Sequence, residues 1–306
     1  MIEDVIESAV AEARRRGEMS ERDVSGSVAH VERALPVVCR DEGLTPDSWF
    51  SGGAGMPTLA VTTADGTAAV LKLDQPGLLD VQAQVMLAAD GHGYARVLTW
   101  NPSLGALLTE RLGDTLWTEA RSLEAQTAAI LPVLREAWDV PIEVGSPFVG
   151  KAAGLRTILA DLGPRYGSGH PWALARAEGY ATALATSEQP EVVCHGDPHA
   201  GNVLRRGGGW ALIDPDGFVG ERAYDLGVVL RDACREIEAA EATTAGSGAA
   251  LLDAACHRLG PLAGVDPGRV WRWAYVERVT TGLYLCWHGY PEEAASFLAT
   301  ADLLLR

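Results

Sequence analysis

The apolar positions of this chain change period twice, and those changes outline its architecture. Over residues 1–45 the apolar side chains fall at helical spacing: Val5, Ile6, Ala9, Val10 and Ala13 in one run, and a second helical segment from Val28 to Cys39. Gly43, Leu44, Thr45 and Pro46 close that segment. From Trp49 the pattern turns to strands. Residues 58–63 alternate, Asp65-Gly66 signals a tight turn, and Ala68-Ala69-Val70-Leu71-Lys72-Leu73 returns as the second arm of a ribbon. A helix is predicted over 79–89, ended by Asp90-Gly91-His92-Gly93, and two more strands over 95–100 and 106–112. At Gly113 the strand-rich region stops. Helical periodicity then dominates at 116–138, 152–162, 173–186, 223–240, 249–259, 270–287 and 292–305, with 242–250 as a small-residue connection. Only one hairpin is expected to interrupt these helices: Val203-Leu204 and Trp210-Ala211-Leu212-Ile213 flank a Gly-rich turn. The pattern divides the chain at 112/113, with N-terminal helices and a β-rich unit over 1–112 and a helical unit over 113–306.

Chemistry concentrates at that hairpin. Asp197 and Asn202 stand five residues apart in H-G-D-P-H-A-G-N-V-L, and Asp214 lies twelve further on in I-D-P-D-G. A kinase catalytic loop uses this five-residue spacing to set a proton acceptor beside the attacking hydroxyl and an amide oxygen on magnesium. The hairpin returns Asp214 to the neighbourhood of Asn202. Two oxygen ligands on adjacent backbone segments suit Mg²⁺, which takes its remaining ligands from water and substrate phosphates. A zinc or hydrolase reading of His195, Asp197 and His199 lacks a further His or Cys at ligand spacing and leaves Asn202 and Asp214 without a task.

Composition narrows the setting. The chain has 306 residues, 47% of them hydrophobic, enough for one large core or two lobes. Residues 1–16 contain no uninterrupted apolar run, so neither a signal peptide nor a membrane helix is expected, and the cytoplasm is the implied compartment. The scattered cysteines, Cys39, Cys194, Cys234, Cys256 and Cys286, are odd in number and fit reduced thiols. A net charge of −16 argues against nucleic acid as a partner and suits a cationic small molecule. Of 25 basic residues only Lys72 and Lys151 are lysines. A lysine kept within a strand of an arginine-preferring chain points to a task for a compact ammonium, such as binding α- and β-phosphates. The Ser51-to-Pro57 loop, with Gly52, Gly53 and Gly55, would let backbone amides approach a phosphate.

The segment H-G-D-P-H-A-G-N-V-L followed by I-D-P-D-G-F-V-G-E-R-A-Y-D-L resembles bacterial aminoglycoside phosphotransferases, most closely the streptomycin 6-kinase branch that also contains hydroxyurea phosphotransferases. The branch typically carries a lysine or similar residue where this chain has Asp216. Weaker likeness extends upstream through the S-G-G loop, D-G-T-A-A-V-L-K-L, G-H-G-Y-A-R-V-L and A-L-L-T-E-R-L-G. The resemblance implies an α+β, bilobal protein-kinase-like fold with a small β-rich N-lobe, a larger mainly helical C-lobe, and ATP or GTP with Mg²⁺ as donor. It further implies that Asp197 accepts or orients the acceptor proton, that Asn202 and Asp214 hold Mg²⁺, and that Lys72 pairs with phosphates under the Gly52–Gly55 loop. Backbone near Glu110 to Leu112 would meet the adenine edge, while His195 and Asp225 support the loop. Kinases place a helix glutamate opposite the strand lysine, and the register puts Gln82 there, with Asp80 or Asp74 as substitutes. For a cationic, streptomycin-like acceptor the candidates are Asp232 first, then Glu236, Glu221, Glu277 and, as a flat wall, Trp287. A related kinase for hydroxyurea or another metabolite, and a nucleotide-binding pseudokinase module, are the alternatives.

Overall fold

The computed structural model describes residues 4–5, 7–8, 10–11, 25–50, 58–120, 122–146, 150–186 and 189–305. They fall into two compact units, Met1–Gly113 and Asp114–Arg306.

The first unit packs helix α1 (Ser25–Asp41) against a five-stranded antiparallel sheet of order β1-β2-β3-β5-β4. Its strands are β1 (Thr45–Phe50), β2 (Thr58–Thr62), β3 (Ala68–Leu73), β4 (Val97–Asn101) and β5 (Ala106–Glu110). Alternation sets the faces: Ala69, Leu71 and Leu73 of β3 join Leu59, Val61 and Leu108 in the core, with Val31, Ala34, Leu35 and Val38 of α1 above them. Val70 and Lys72 therefore point to the other face of the sheet. Helix α2 (Asp80–Ala89) follows β3 and ends on Asp90 in the left-handed region. Thr45–Phe50, absent from the sequence expectation, pairs with β2 as an edge strand. Pro46 and Asp47 depress strand propensity there, and a register shift between Pro46 and Ser48 accommodates them.

The second unit is mainly helical: α3 (Leu116–Glu119), α4 (Leu123–Ala137), α5 (Lys151–Tyr166), α6 (Pro171–Ala185), α7 (Arg222–Arg231), α8 (Cys234–Thr243), α9 (Ser247–Ala263), α10 (Pro267–Trp287) and α11 (Pro291–Leu303). Its centre is α10, which packs against α5, α6, α7, α9 and α11. Val270, Trp273, Ala274, Val276, Val279 and Leu283 of α10 are all buried, as a helix enclosed on all sides requires. Two β ribbons break the helical run. Strands β7 (Val203–Arg206) and β8 (Gly209–Leu212) form the expected hairpin. The second ribbon, β6 (Glu191–Cys194) with β9 (Phe218–Glu221), was not expected, because a four-residue run carries too little periodicity to be told from a helix turn.

Two predicted helices are divided. The 116–138 segment restarts at α4, where the Ser122 hydroxyl accepts from Ala125 N–H. The 223–240 segment breaks at Asp232 and Ala233, and the break folds the Asp232 carboxylate onto Arg231 Nε at 2.9 Å. Adjacent residues of an unbroken helix do not face each other in this way.

Candidate active site

The loop from His195 to Asn202 runs between β6 and β7, and the segment from Ile213 to Gly217 runs between β8 and β9. The two ribbons hold these segments side by side: Ile213 N–H donates to Asn202 O at 3.0 Å, and Asp216 N–H to His195 O at 2.7 Å. Gly196 lies between them at φ +95°, where a Cβ would stand 2.5 Å from that of Asp216, so only glycine fits.

A buried carboxylate anchors the loop. Asp225 of α7 is fully buried and accepts from His195 N–H and Gly196 N–H at 2.9 Å each and from Trp138 Nε1–H at 2.8 Å. Burial raises its pKa, and these donors together with His195 oppose the rise. The His195 ring is also fully buried. Its Nε2 is 2.8 Å from Ile213 O, and its Nδ1 accepts Asp197 N–H at 3.1 Å. That pair of contacts selects the neutral Nε2–H tautomer, and burial lowers the imidazole pKa accordingly.

Asp197 stands at the open end of this frame with 39% of its side chain exposed. Arg231 Nη2 donates to its Oδ1 at 3.0 Å, and His199 Nε2 is 3.5 Å from its Oδ2. His199 Nδ1 accepts Gly201 N–H, which turns Nε2–H toward the carboxylate. Burial pushes the Asp197 pKa up, but the Arg231 guanidinium, with the neighbouring imidazoles, outweighs it and holds the group below the usual carboxylate range. The carboxylate is thus ionised, fixed in place and accessible.

Asn202 and Asp214 are the pair expected from the sequence to hold magnesium. The Asn202 amide nitrogen donates to Asp197 O at 2.9 Å, which fixes the orientation of the amide. Asp214 occupies φ +59°, a conformation that costs a non-glycine residue about 1–2 kcal/mol and that recurs at functional sites. Among the described residues no group of three or more His, Cys, Asp or Glu side chains could hold a metal. Two oxygens completed by phosphate and water are the kind of donor set that Mg²⁺ takes.

The acidic residues considered for the acceptor are distributed unevenly. Asp232 and Glu277 both turn to Arg231: Asp232 Oδ1 lies 2.9 Å from Nε and Glu277 Oε2 3.7 Å from Nη1. Glu221 is buried, bound to Arg269 Nε and to Trp273 Nε1–H at 2.7 Å. Glu236 is half-buried on α8. Trp287 packs with Tyr284 and His288 at the end of α10. The sequence did not single out Arg231, Tyr224 or Trp117. Trp117 of α3 is 52% exposed, with its ring 5.1 Å from that of His199. A Thr115–Leu204 bridge and the Glu119–Arg205 ion pair pin α3 to β7.

In the first unit, Lys72 Nζ donates to Gln82 Oε1 at 3.3 Å, so the α2 glutamine is a partner of the strand lysine. Asp74 Oδ1 accepts Gln75 N–H. Glu110 pairs with Ala69 at the end of β5, its carboxylate accepts Arg96 N–H at 2.7 Å, and Leu112 follows beyond the strand. The loop with Gly52, Gly53 and Gly55 lies outside the described residues.

A β-rich unit with a helix-paired strand lysine, and a helical unit whose loop presents aspartate, asparagine and a second aspartate, define a phosphotransferase of protein-kinase-like fold. A solved aminoglycoside phosphotransferase, a thermostable mutant of APH(4)-Ia in ternary complex with ADP and hygromycin B, shares this fold. It aligns with a TM-score of 0.61 at 16% identity, over 89% of this chain and 97% of that one. The family model for aminoglycoside/hydroxyurea antibiotic resistance kinases matches residues 43–288, and the chain belongs to that family. It is 27% identical to a streptomycin 6-kinase of Streptomyces griseus over 96% of this chain and 94% of the relative. A streptomycin 6-kinase of Streptomyces glaucescens is 33% identical over 71% of each. The chain is accordingly a phosphotransferase with an alcohol group as acceptor.

Proposed function

We propose that this protein transfers the γ-phosphoryl group of ATP to a hydroxyl of a small cationic antibiotic of the streptomycin type, and so inactivates it. The observation that carries this reading is the Asp197 carboxylate, ionised, partly exposed and fixed by Arg231 within one loop turn of the Asn202 and Asp214 oxygens. In this reading Asp197 receives the acceptor hydroxyl, orients it and takes its proton. A loose phosphoryl-transfer transition state releases that proton late, so a weakly basic carboxylate suffices. Asn202 and Asp214 would hold Mg²⁺, which supplies neutralisation of phosphate charge. Lys72 takes the α- and β-phosphates, the glycines at 52, 53 and 55 contribute backbone amides, and backbone from Glu110 to Leu112 meets the adenine. Use of ATP implies a cytoplasmic site of action.

For the acceptor, the excess of carboxylates over cations near Asp197 supports a positively charged molecule. Trp117 offers a flat face beside His199 for a planar guanidinium. Glu236 remains a candidate contact, whereas Asp232, Glu277 and Glu221 already serve internal arginines. A turnover screen with MgATP against streptomycin, other aminoglycosides and hydroxyurea tests the reading, with the product identified by mass spectrometry. A phosphorylated streptomycin is expected. Turnover of hydroxyurea alone would reassign the acceptor, and phosphorylation of no acceptor would overturn the proposal.

A further inference from the structure

Arg231 faces three carboxylates with one guanidinium. Nη2 meets Asp197 Oδ1 at 3.0 Å, Nε meets Asp232 Oδ1 at 2.9 Å, and Nη1 lies 3.7 Å from Glu277 Oε2. Asp232 alone would neutralise the arginine, so Glu277 invites a separate explanation. It stands on α10, eighty positions beyond Asp197, with 7% of its side chain exposed. Its second oxygen accepts the Tyr224 hydroxyl at 2.7 Å, and the same hydroxyl lies 3.2 Å from Gly196 O. Gly196 immediately precedes Asp197. Glu277 therefore reaches the Asp197 loop twice, through Arg231 to the Asp197 carboxylate and through Tyr224, whose one hydroxyl hydrogen the two acceptors share, to the Gly196 carbonyl that precedes it.

We propose that Glu277 is a positioning residue for phosphoryl transfer, acting through Arg231 and Tyr224 to fix the Asp197 carboxylate, and is not a contact for the acceptor. The proposal rests on the reading of Asp197 as the group that receives the acceptor hydroxyl. A guanidinium favours a two-pronged pair with a carboxylate. By drawing Nη1 toward itself, Glu277 leaves Nη2 to Asp197 Oδ1, while Oδ2 faces His199 and remains available to a hydroxyl. Without Glu277 the arginine can turn both prongs on Asp197 and cover the oxygen that chemistry needs. Both Glu277 oxygens are engaged inside the protein, whereas an acceptor contact would keep one toward solvent.

Glu277→Gln and Tyr224→Phe in the full-length chain test this; the second preserves shape and charge. Glu277→Gln is expected to lower kcat by about tenfold to a hundredfold, the scale of a misplaced reacting group. The KM values for MgATP and acceptor should stay within about twofold, because ground-state binding is untouched. Tyr224→Phe should give a smaller kcat loss in the same direction. The double variant should lose less than the product of the two single losses, since both act on one network. Glu277→Asp, which restores the charge, should recover part of kcat. A raised acceptor KM with unchanged kcat would make Glu277 an acceptor contact and overturn the proposal, as would a folded Glu277→Gln protein with wild-type kinetics. If the wild-type protein phosphorylates no acceptor, the functional reading fails separately. The linkage is then read from amide hydrogen exchange: faster exchange over 196–202 in both variants, with α6 unchanged, supports it, and unaltered exchange refutes it.

Discussion

Lys72 in the first unit and Asp197 in the second carry the two charges most central to the proposed reaction, and they are held in different ways. Lys72 donates to a neutral amide, Gln82, at 3.3 Å from a neighbouring helix. Asp197 is gripped by Arg231 at 3.0 Å, faces His199, and is backed by Asp232, Glu277, Tyr224 and the Asp225-anchored loop. The Gln82 amide orients the lysine without itself offsetting the charge. A charged network instead fixes both the geometry and the ionisation of the aspartate. The difference suits the two tasks: attracting a polyanion that brings its own charge, and presenting one oxygen to one hydroxyl.

The contrast breaks most sharply at Asp197. Asp197→Asn is expected to reduce transfer by about 10²–10⁴-fold while MgATP binding, followed by calorimetry, persists. Transfer at the wild-type rate would falsify its assigned role. Next in size is Asp225→Ala, which leaves Trp138 Nε1–H and the His195 and Gly196 amides buried without their acceptor. A loss of about 3–5 kcal/mol in urea unfolding is expected for breaking such a buried network. On the donor side, Lys72→Ala should raise the KM for MgATP about tenfold and leave the acceptor KM unchanged in steady-state assays. An equal effect on both substrates would merge the two halves of the comparison.

A pH titration probes the second unit in another way. The folded His195 pKa lies below the ordinary value of about 6.5, so the unfolded chain takes up this proton more readily. Its stabilising contribution is complete above about pH 6.5 and is lost as pH falls through the lower folded value. The thermal midpoint should therefore fall between pH 7 and 5, and His195→Gln should flatten that slope. Asp197, also depressed, contributes above its unfolded value of about 3.9, so its contribution disappears only in stronger acid. The smallest expected effect is Gln82→Glu. A charged partner should hold Lys72 more firmly but offset part of its charge, leaving kcat/KM for MgATP within about fivefold of wild type.

The short-range parts of this architecture were legible because chain connectivity sets them. Asp197 and Asn202 share one loop, and a four-residue hairpin strand returns Asp214 beside Asn202, so spacing alone brings the three together. The β2–β3 ribbon and α2 followed equally from alternation and a helical run. The edge strand at Thr45–Phe50 was obscured by Pro46, and the β6–β9 ribbon joins segments too short to show a period. Asp232 was the first choice for a cationic acceptor because its helix begins beside Asp225, which is tied to the catalytic loop. A break in the helix instead folds its carboxylate onto Arg231.

The sequence by itself, through its periodicity, its spacing and its resemblance to aminoglycoside phosphotransferases, determined the fold class and the reaction type and marked the three polar residues proposed for its centre. Only the tertiary structure decided what surrounds Asp197. The contacts from Arg231 to Asp197, from Glu277 to Tyr224 and from Asp225 to Trp138 span 34, 53 and 87 positions. Such pairs form where α7 meets α10, the His195–Asn202 loop and the end of α4, and no spacing rule along a chain reports which distant polar side chains will meet.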